Sequence, residues 1–303
     1  MFKEWITLFL KGLAIGAANV IPGVSGGTIA LITGIFEKLI NSIKSFNLTA
    51  LKLIIKGDFK GFARHTNLYF LIAIFLGVAV SILTFARLLD YLFTNYPVYI
   101  WAYFFGLIMA SVFFVGKTIS KWTFTVILIF IIGTVIAGAI SMLPVATENS
   151  SFLYLLLCGI VAVCSMILPG LSGSFVLVLM GNYKLVMIDA VNNLNIMVLL
   201  PVVMGAIIGL LGFSYLLSWI FKNFKDQTIA LLTGFILGSL AILWPWKHEI
   251  TKAFGNKIKV IGYERFIPEH FSTEVILALI YAILGILSIW ILEKMAQKKT
   301  SEK

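Results

Sequence analysis

Charge is what this sequence has least of: Asp, Glu, Lys and Arg make up 12% of its 303 residues, while 60% are hydrophobic. At a mean hydropathy of +1.04, too little polar material remains to cover a water-soluble core, so the solvent is lipid. Histidine is scarce too. His65, His248 and His270 are the only three, and all fall in loops between apolar runs, which argues against metal ligation or a proton relay within a span. The only cysteines, Cys158 and Cys164, lie six apart in one apolar stretch. That spacing takes them off the shared face of a helix, so neither a disulfide nor a metal pair is expected, and both read as packing residues. No base stands beside a nucleophile and no carboxylate pair faces a motif; Ser25 and Ser172 have no evident activating partner. Enzymatic chemistry, a metal and a cofactor are therefore not expected.

What the sequence does have is long apolar runs. Six of them, near 68–93, 98–115, 124–143, 197–220, 229–244 and 275–292, approach the ~20 residues a helix needs to cross a bilayer. They are apolar on every face, as at Leu71, Ile72, Ala73, Ile74, Phe75 and Leu76, without the two-residue alternation of an outer-membrane barrel. An all-α integral membrane protein is predicted. The apolar segment from Trp5 runs into a Pro-Gly motif that recurs downstream, so it belongs to the fold and is not a signal peptide.

The net charge of +10 does not require nucleic acid, because the basic residues sort by side of the membrane. Sixteen fall in the N-terminus, the loop 38–64, the 117–121 and 222–225 turns and the tail, against six at Lys184, Lys247, Lys252, Lys257, Lys259 and Arg265. The positive-inside rule makes both termini cytoplasmic, with some attraction to anionic lipid headgroups.

Two segments are broken at the same kind of sequence: NVIPGVSGGTIALITG from Asn19 and MILPGLSGSFVLVLMG from Met166. They align without a gap, and a second block follows in the same order, LLDYLFTNYPVYIWAYFFGLIMAS from Leu88 on LLSWIFKNFKDQTIALLTGFILGS from Leu216. Shared order of two blocks indicates internal duplication. Proline removes a helical N–H and disfavours helix before it, and the glycines permit unusual backbone angles, so each motif is expected to separate two half-helices. If each is a re-entrant hairpin, each half holds a hairpin plus three spans, and the odd number makes the repeats inverted. The expected division is 1–145 and 150–293, followed by a cytoplasmic tail at 294–303.

Each break should leave unpaired N–H groups at the start of a new half-helix, at Gly26, Gly27 and Thr28 and at Gly173 and Ser174. With the hydroxyls of Ser25, Thr28, Ser172 and Ser174, two opposed helix starts near the midplane form a site for an anion. The simpler alternative for one copy is a helix break with a Ser cap; the second copy in a matching position favours the site. Thr28 and Gly27 are matched by Phe175 and Ser174, so the half-sites are unequal, and the first hairpin reads as the better headgroup ligand. Arg87, with Asp90 three residues on, is the basic residue well inside a span, and substrate binding competes with snorkelling there. Glu37 and Lys184 occupy equivalent places past the two hairpins, as gating or coupling residues or as interfacial anchors. The stretch FEKLINSIKSFNLTALKLIIKGDFKGFARH reads as amphipathic, lying on the cytoplasmic surface and able to collect anionic lipid.

The pair PGVSGGT and PGLSGS, each followed by a further Gly, resembles the signature of the PopT family, long carried as a domain of unknown function. The likeness extends to both hairpins, the span pattern and the basic loop. It implies movement of undecaprenyl phosphate across the bacterial cytoplasmic membrane, to recycle the lipid carrier of the cell wall, with the headgroup at Ser25, Gly26, Gly27, Thr28, Ser172, Gly173 and Ser174 and with Arg87 as a further candidate. A transporter for a small anion or carboxylate would use the same half-helices, and a membrane-embedded lipid-phosphate enzyme is a second alternative. Glycines such as Gly77, Gly133, Gly138, Gly205 and Gly209 allow close helix contacts, within one chain or in a homo-oligomer.

Overall fold

The computed structural model describes residues 2–20, 26–140, 142–143, 145–254 and 257–301. The chain runs through α1 (Phe2–Val20), α2 (Gly26–Ile32), α3 (Phe36–Lys44), α4 (Leu48–Ile55), α5 (Phe59–His65), α6 (Leu68–Asn95), α7 (Pro97–Gly116) and α8 (Phe124–Ile140). It continues with α9 (Phe152–Ile167), α10 (Gly173–Leu179), a π-helical turn (Leu185–Asp189), α11 (Ala190–Asn192), α12 (Ile196–Asn223), α13 (Lys225–Leu243), strands β1 (Lys247–Phe254) and β2 (Lys257–Arg265), and α14 (Thr273–Ser301).

All six long apolar runs are helices, and the protein is a mostly helical, multi-pass membrane protein. Among the described residues four helices, α7, α12, α13 and the Thr273–Ile291 part of α14, are long and apolar enough to cross a membrane. A fifth span arises if α5 and the first part of α6 count as one, although they bend by 68° at the break. Asn67, at φ +51°, makes that bend. The run at 124–140 is apolar but shorter.

Two compact units form, one from 1–86 and 146–225, the other from 87–145 and 226–303. Each takes one segment from each half of the sequence. Within the first unit, Gly12 abuts the Ile74 carbonyl and Gly77 the Phe9 carbonyl, joining α1 to α6. The aligned glycines do the same for α9 and α12: Gly159 abuts Val202 and Gly205 abuts Leu156, at positions that align with Ile74 and Phe9. In the second unit Gly106 meets Ala282 and Gly285 meets Tyr103, while Gly234 meets Phe130 and Gly133 meets Leu231. A side chain at any of these places would drive the helices apart, which is how small residues set close packing in lipid.

Three features depart from the expected architecture. The basic stretch after the first hairpin is three short helices, α3 to α5, with Asn47 and Asp58 capping the second and third. The loop at 244–272 holds a two-stranded antiparallel sheet instead of being irregular, with Lys247 opposite Arg265 and Glu249 opposite Tyr263. His65 accordingly ends α5, and His248 lies in β1.

Candidate functional site

The two broken segments fold alike. Each pairs a long helix before its motif with a seven-residue helix after it, α1 with α2 and α9 with α10. The arms are unequal, so the expected half-helices are a long arm and a short return. Gly26 lies against Ile15, and Gly173 against the Ala162 carbonyl, in each case eleven residues back along the long arm. The short helices therefore turn back against their own long arms. Both end identically: Gly34 (φ +68°) and Gly181 (φ +75°) adopt the left-handed conformation, and the next N–H, of Ile35 or Asn182, bonds back to Ala30 or Leu177. That is a Schellman cap, which glycine makes without a Cβ penalty.

At the second break Pro169 precedes Gly170 at φ +81°, the combination a type II turn requires. The Gly170 N–H donates to the Thr28 hydroxyl oxygen at 3.1 Å. Thr28 is fully buried, and this bond links the two motifs directly across 142 residues of sequence. It contributes about 1 kcal/mol net, but losing it would strand a buried donor at a cost of about 1–3 kcal/mol.

The two motifs differ in how their polar groups are engaged. In the first motif Gly26 N–H donates to Asn19 Oδ1 at 2.8 Å and the Thr28 oxygen is engaged by Gly170. In the second, the Ser172 hydroxyl does not cap α10; it meets the Ser174 hydroxyl at 3.1 Å. The N–H groups of Gly173, Ser174 and Phe175 have no partner among the described residues. Gly173 is buried, Ser172 half-buried and Ser174 exposed. Ser25 lies outside the described residues, as do the side chains of Arg87 and Asp90, whose backbone belongs to α6. Glu37 is exposed in the first turn of α3. Lys184 takes Asp189 as its ionic partner at 2.8 Å; the π-helical turn brings residues five apart onto one face. That hydrogen bond raises the Lys184 pKa.

Two residues of this region escaped the sequence reading. Asn19 bridges the arms of the first hairpin, and the signal was a lone amide three residues before the proline. Lys11 is the tenth residue of α1, half-buried, with Nζ donating to the Thr33 carbonyl at 2.5 Å. A cation there satisfies the C-terminal end of α2. Among the described residues no group of three or more His, Cys, Asp or Glu is arranged to hold a metal.

Each unit also holds a cavity. In the first, about 340 Å³ is lined by Glu4, Trp5, Lys38, Arg64, Asn67 and Tyr69 among others, with Lys38 Nζ 4.7 Å from the Phe70 ring centre. In the second, about 330 Å³ is walled by Leu92, Tyr96, Tyr99, Ile100, Tyr103 and Tyr281.

These features define a polytopic helical membrane protein in which the second helix break is hydrogen-bonded to the short helix that follows the first Pro-Gly motif. The chain belongs to the undecaprenyl phosphate translocase-like family, whose sequence profile matches residues 15–261. It is 38% identical to the polyprenyl-phosphate transporter of Vibrio cholerae, over 97% of this chain and 98% of that one. It is 31% identical to the polyprenyl-phosphate transporter of Staphylococcus aureus, over 80% of this chain and 87% of that one. No solved structure matches.

Proposed function

We propose that the protein carries undecaprenyl phosphate, or a related polyprenyl phosphate, across the bacterial cytoplasmic membrane and so returns the lipid carrier of envelope synthesis to the cytoplasmic leaflet. The hydrogen bond from Gly170 to Thr28 carries this reading. Broken backbone at membrane depth is tolerated only where protein or a watery cavity surrounds it. Two breaks held together are how membrane carriers build midplane sites for anionic groups. The names of the relatives supply the substrate class.

In this reading the phosphate sits at Ser172, Gly173 and Ser174, where N–H donors are open and the two hydroxyls bond each other, with Gly26, Gly27 and Thr28 as the opposing wall and Ser25 as a further ligand of the first motif. Arg87 is a further ligand, Glu37 and Asp90 are gating or coupling groups, and Lys184 works with Asp189. The isoprenoid tail stays in lipid. The matched glycine contacts of α1/α6 with α9/α12, and of α7/α14 with α13/α8, support a duplicated fold. Counting the shorter apolar helix α8 as a span, each repeat would hold three spans and a hairpin, which would make the repeats inverted; the sixteen-to-six distribution of basic residues supports both termini being cytoplasmic. The groove holding Lys38 and Arg64 then faces the cytoplasm, among helices suited to gathering anionic headgroups.

Purified protein in liposomes tests this. Replacing Ser172 and Ser174 together by Ala should slow undecaprenyl phosphate translocation by about tenfold or more, the loss of one or two hydrogen bonds to a charged group. Thermal stability should hold, since these hydroxyls bond each other near the surface of the break. Wild-type translocation in the double variant would put the headgroup elsewhere.

A further inference from the structure

The sheet that interrupts the α13–α14 connection brings two cations together. Lys247 opens β1 and Arg265 closes β2, directly opposite each other in the antiparallel register. Both reach the same helix end: Arg265 Nε donates to the Ala241 carbonyl at 2.5 Å, and Lys247 Nζ donates to the Ile242 carbonyl. Lys247 Nζ also stands 3.3 Å from the ring centre of Trp101 and 4.2 Å from that of Tyr263. Among the described residues neither cation has an ion pair; the one salt bridge is Lys184–Asp189. Glu249, on the same face of the hairpin, is exposed and lies opposite Tyr263.

Capping explains one bond from each side chain and no more. The two side chains take different carbonyls of one helix end, yet two like charges held side by side against a buried tryptophan repel each other, and Glu249, the carboxylate on their face of the hairpin, is itself exposed to solvent. Arg265 uses Nε alone, so both terminal NH₂ groups have no partner among the described residues. Their fixed fork matches two oxygens of one phosphate or carboxylate. A phosphate monoester offers the larger charge and a third oxygen for the ammonium.

We propose that Lys247 and Arg265 form a phosphate-monoester receptor at the foot of the β-hairpin, distinct from the helix breaks. It rests on the transport reading in one respect: with both termini cytoplasmic this hairpin is external, so the receptor would collect polyprenyl phosphate in the outer leaflet before the headgroup moves to the breaks. Guanidinium and ammonium supply the recognition, and the chemistry is binding without bond cleavage.

The full chain in nanodiscs gives the test. Acylation of Lys247 by an amine-reactive reagent, read by mass spectrometry, should slow about tenfold or more when undecaprenyl phosphate is added. Undecaprenol, which lacks the phosphate, should leave the rate unchanged. Inorganic phosphate giving the same protection as the lipid at equal concentration would identify a free-phosphate site and overturn the lipid assignment. Absence of protection by any phosphate would overturn the receptor altogether. Arg265→Gln should abolish protection, read as the ratio of labelling rates with and without lipid in that same variant; an unchanged ratio also overturns the proposal. Because the readout is local, a protein that protects Lys247 but moves no lipid would refute the transport reading and leave the receptor standing.

Discussion

Replacing Thr28 by valine removes one oxygen and leaves the side-chain volume nearly unchanged. The oxygen accepts the Gly170 N–H at 3.1 Å, and Thr28 is fully buried, so water has no ready path to replace it. Gly170 is pinned at φ +81° by the Pro-Gly turn and is itself buried, so the amide is left unpaired. Stranding a buried amide costs about 1–3 kcal/mol, which favours opening of this junction by about 5- to 150-fold at room temperature. Hydrogen exchange with mass spectrometry reads that opening directly. The peptide containing Gly170 should exchange faster by that factor in Thr28→Val. Thr28→Ser, which keeps the acceptor, should recover most of the protection. A valine variant that exchanges like wild type would show that the bond does not hold the two motifs together, and would remove the main support for a shared site.

Gly205→Ala should destabilise by about 1–3 kcal/mol because its methyl group would strike the Leu156 carbonyl, whereas Gly212→Ala on the same helix has open space and should be neutral or stabilising; melting of the two variants in one detergent checks the contrast. Burial draws the Lys247 pKa down to about 7, against Glu249, which raises it, and with Arg265, which lowers it further; Tyr263 is the other titratable group facing it. A lysine depressed in the folded state binds fewer protons there than when unfolded, so stability should rise as pH increases from about 7 toward 10.5, and Lys247→Met should flatten that rise in melting curves. Lys184→Ala should change stability by less than about 1 kcal/mol, because its ion pair with Asp189 is exposed; a larger loss would mean the π-helical turn depends on it.

Much of the fold was legible because lipid imposes simple rules on sequence. Apolar runs gave the long helices, and the two Pro-Gly motifs marked the breaks. The glycines at 34 and 181, aligned by sequence alone, proved to be equivalent caps. The β-hairpin was legible as well but was missed: Ile258 and Val260 alternate with Lys257 and Lys259 beyond a Gly-Asn pair, a hairpin pattern that the density of charge disguised as loop. What could not be read was which polar groups are already spent. Thr28 reads as an open ligand in one dimension, and only the fold shows its oxygen committed to Gly170, 142 residues away. The Lys11 ammonium is likewise committed to the Thr33 carbonyl, 22 residues on, which its place near the N-terminus does not reveal. Lys247 and Arg265 counted only as loop charges until the hairpin register set them side by side.

The central claim is that the substrate is a lipid phosphate and not a free anion. Wild-type protein would be reconstituted in liposomes carrying undecaprenyl phosphate and an entrapped phosphate indicator, with leaflet accessibility of the lipid and flux of inorganic phosphate followed in the same vesicles. The lipid should equilibrate between leaflets far faster than in protein-free vesicles, with no phosphate flux. Phosphate or another small anion crossing while the lipid stays in its leaflet would contradict it.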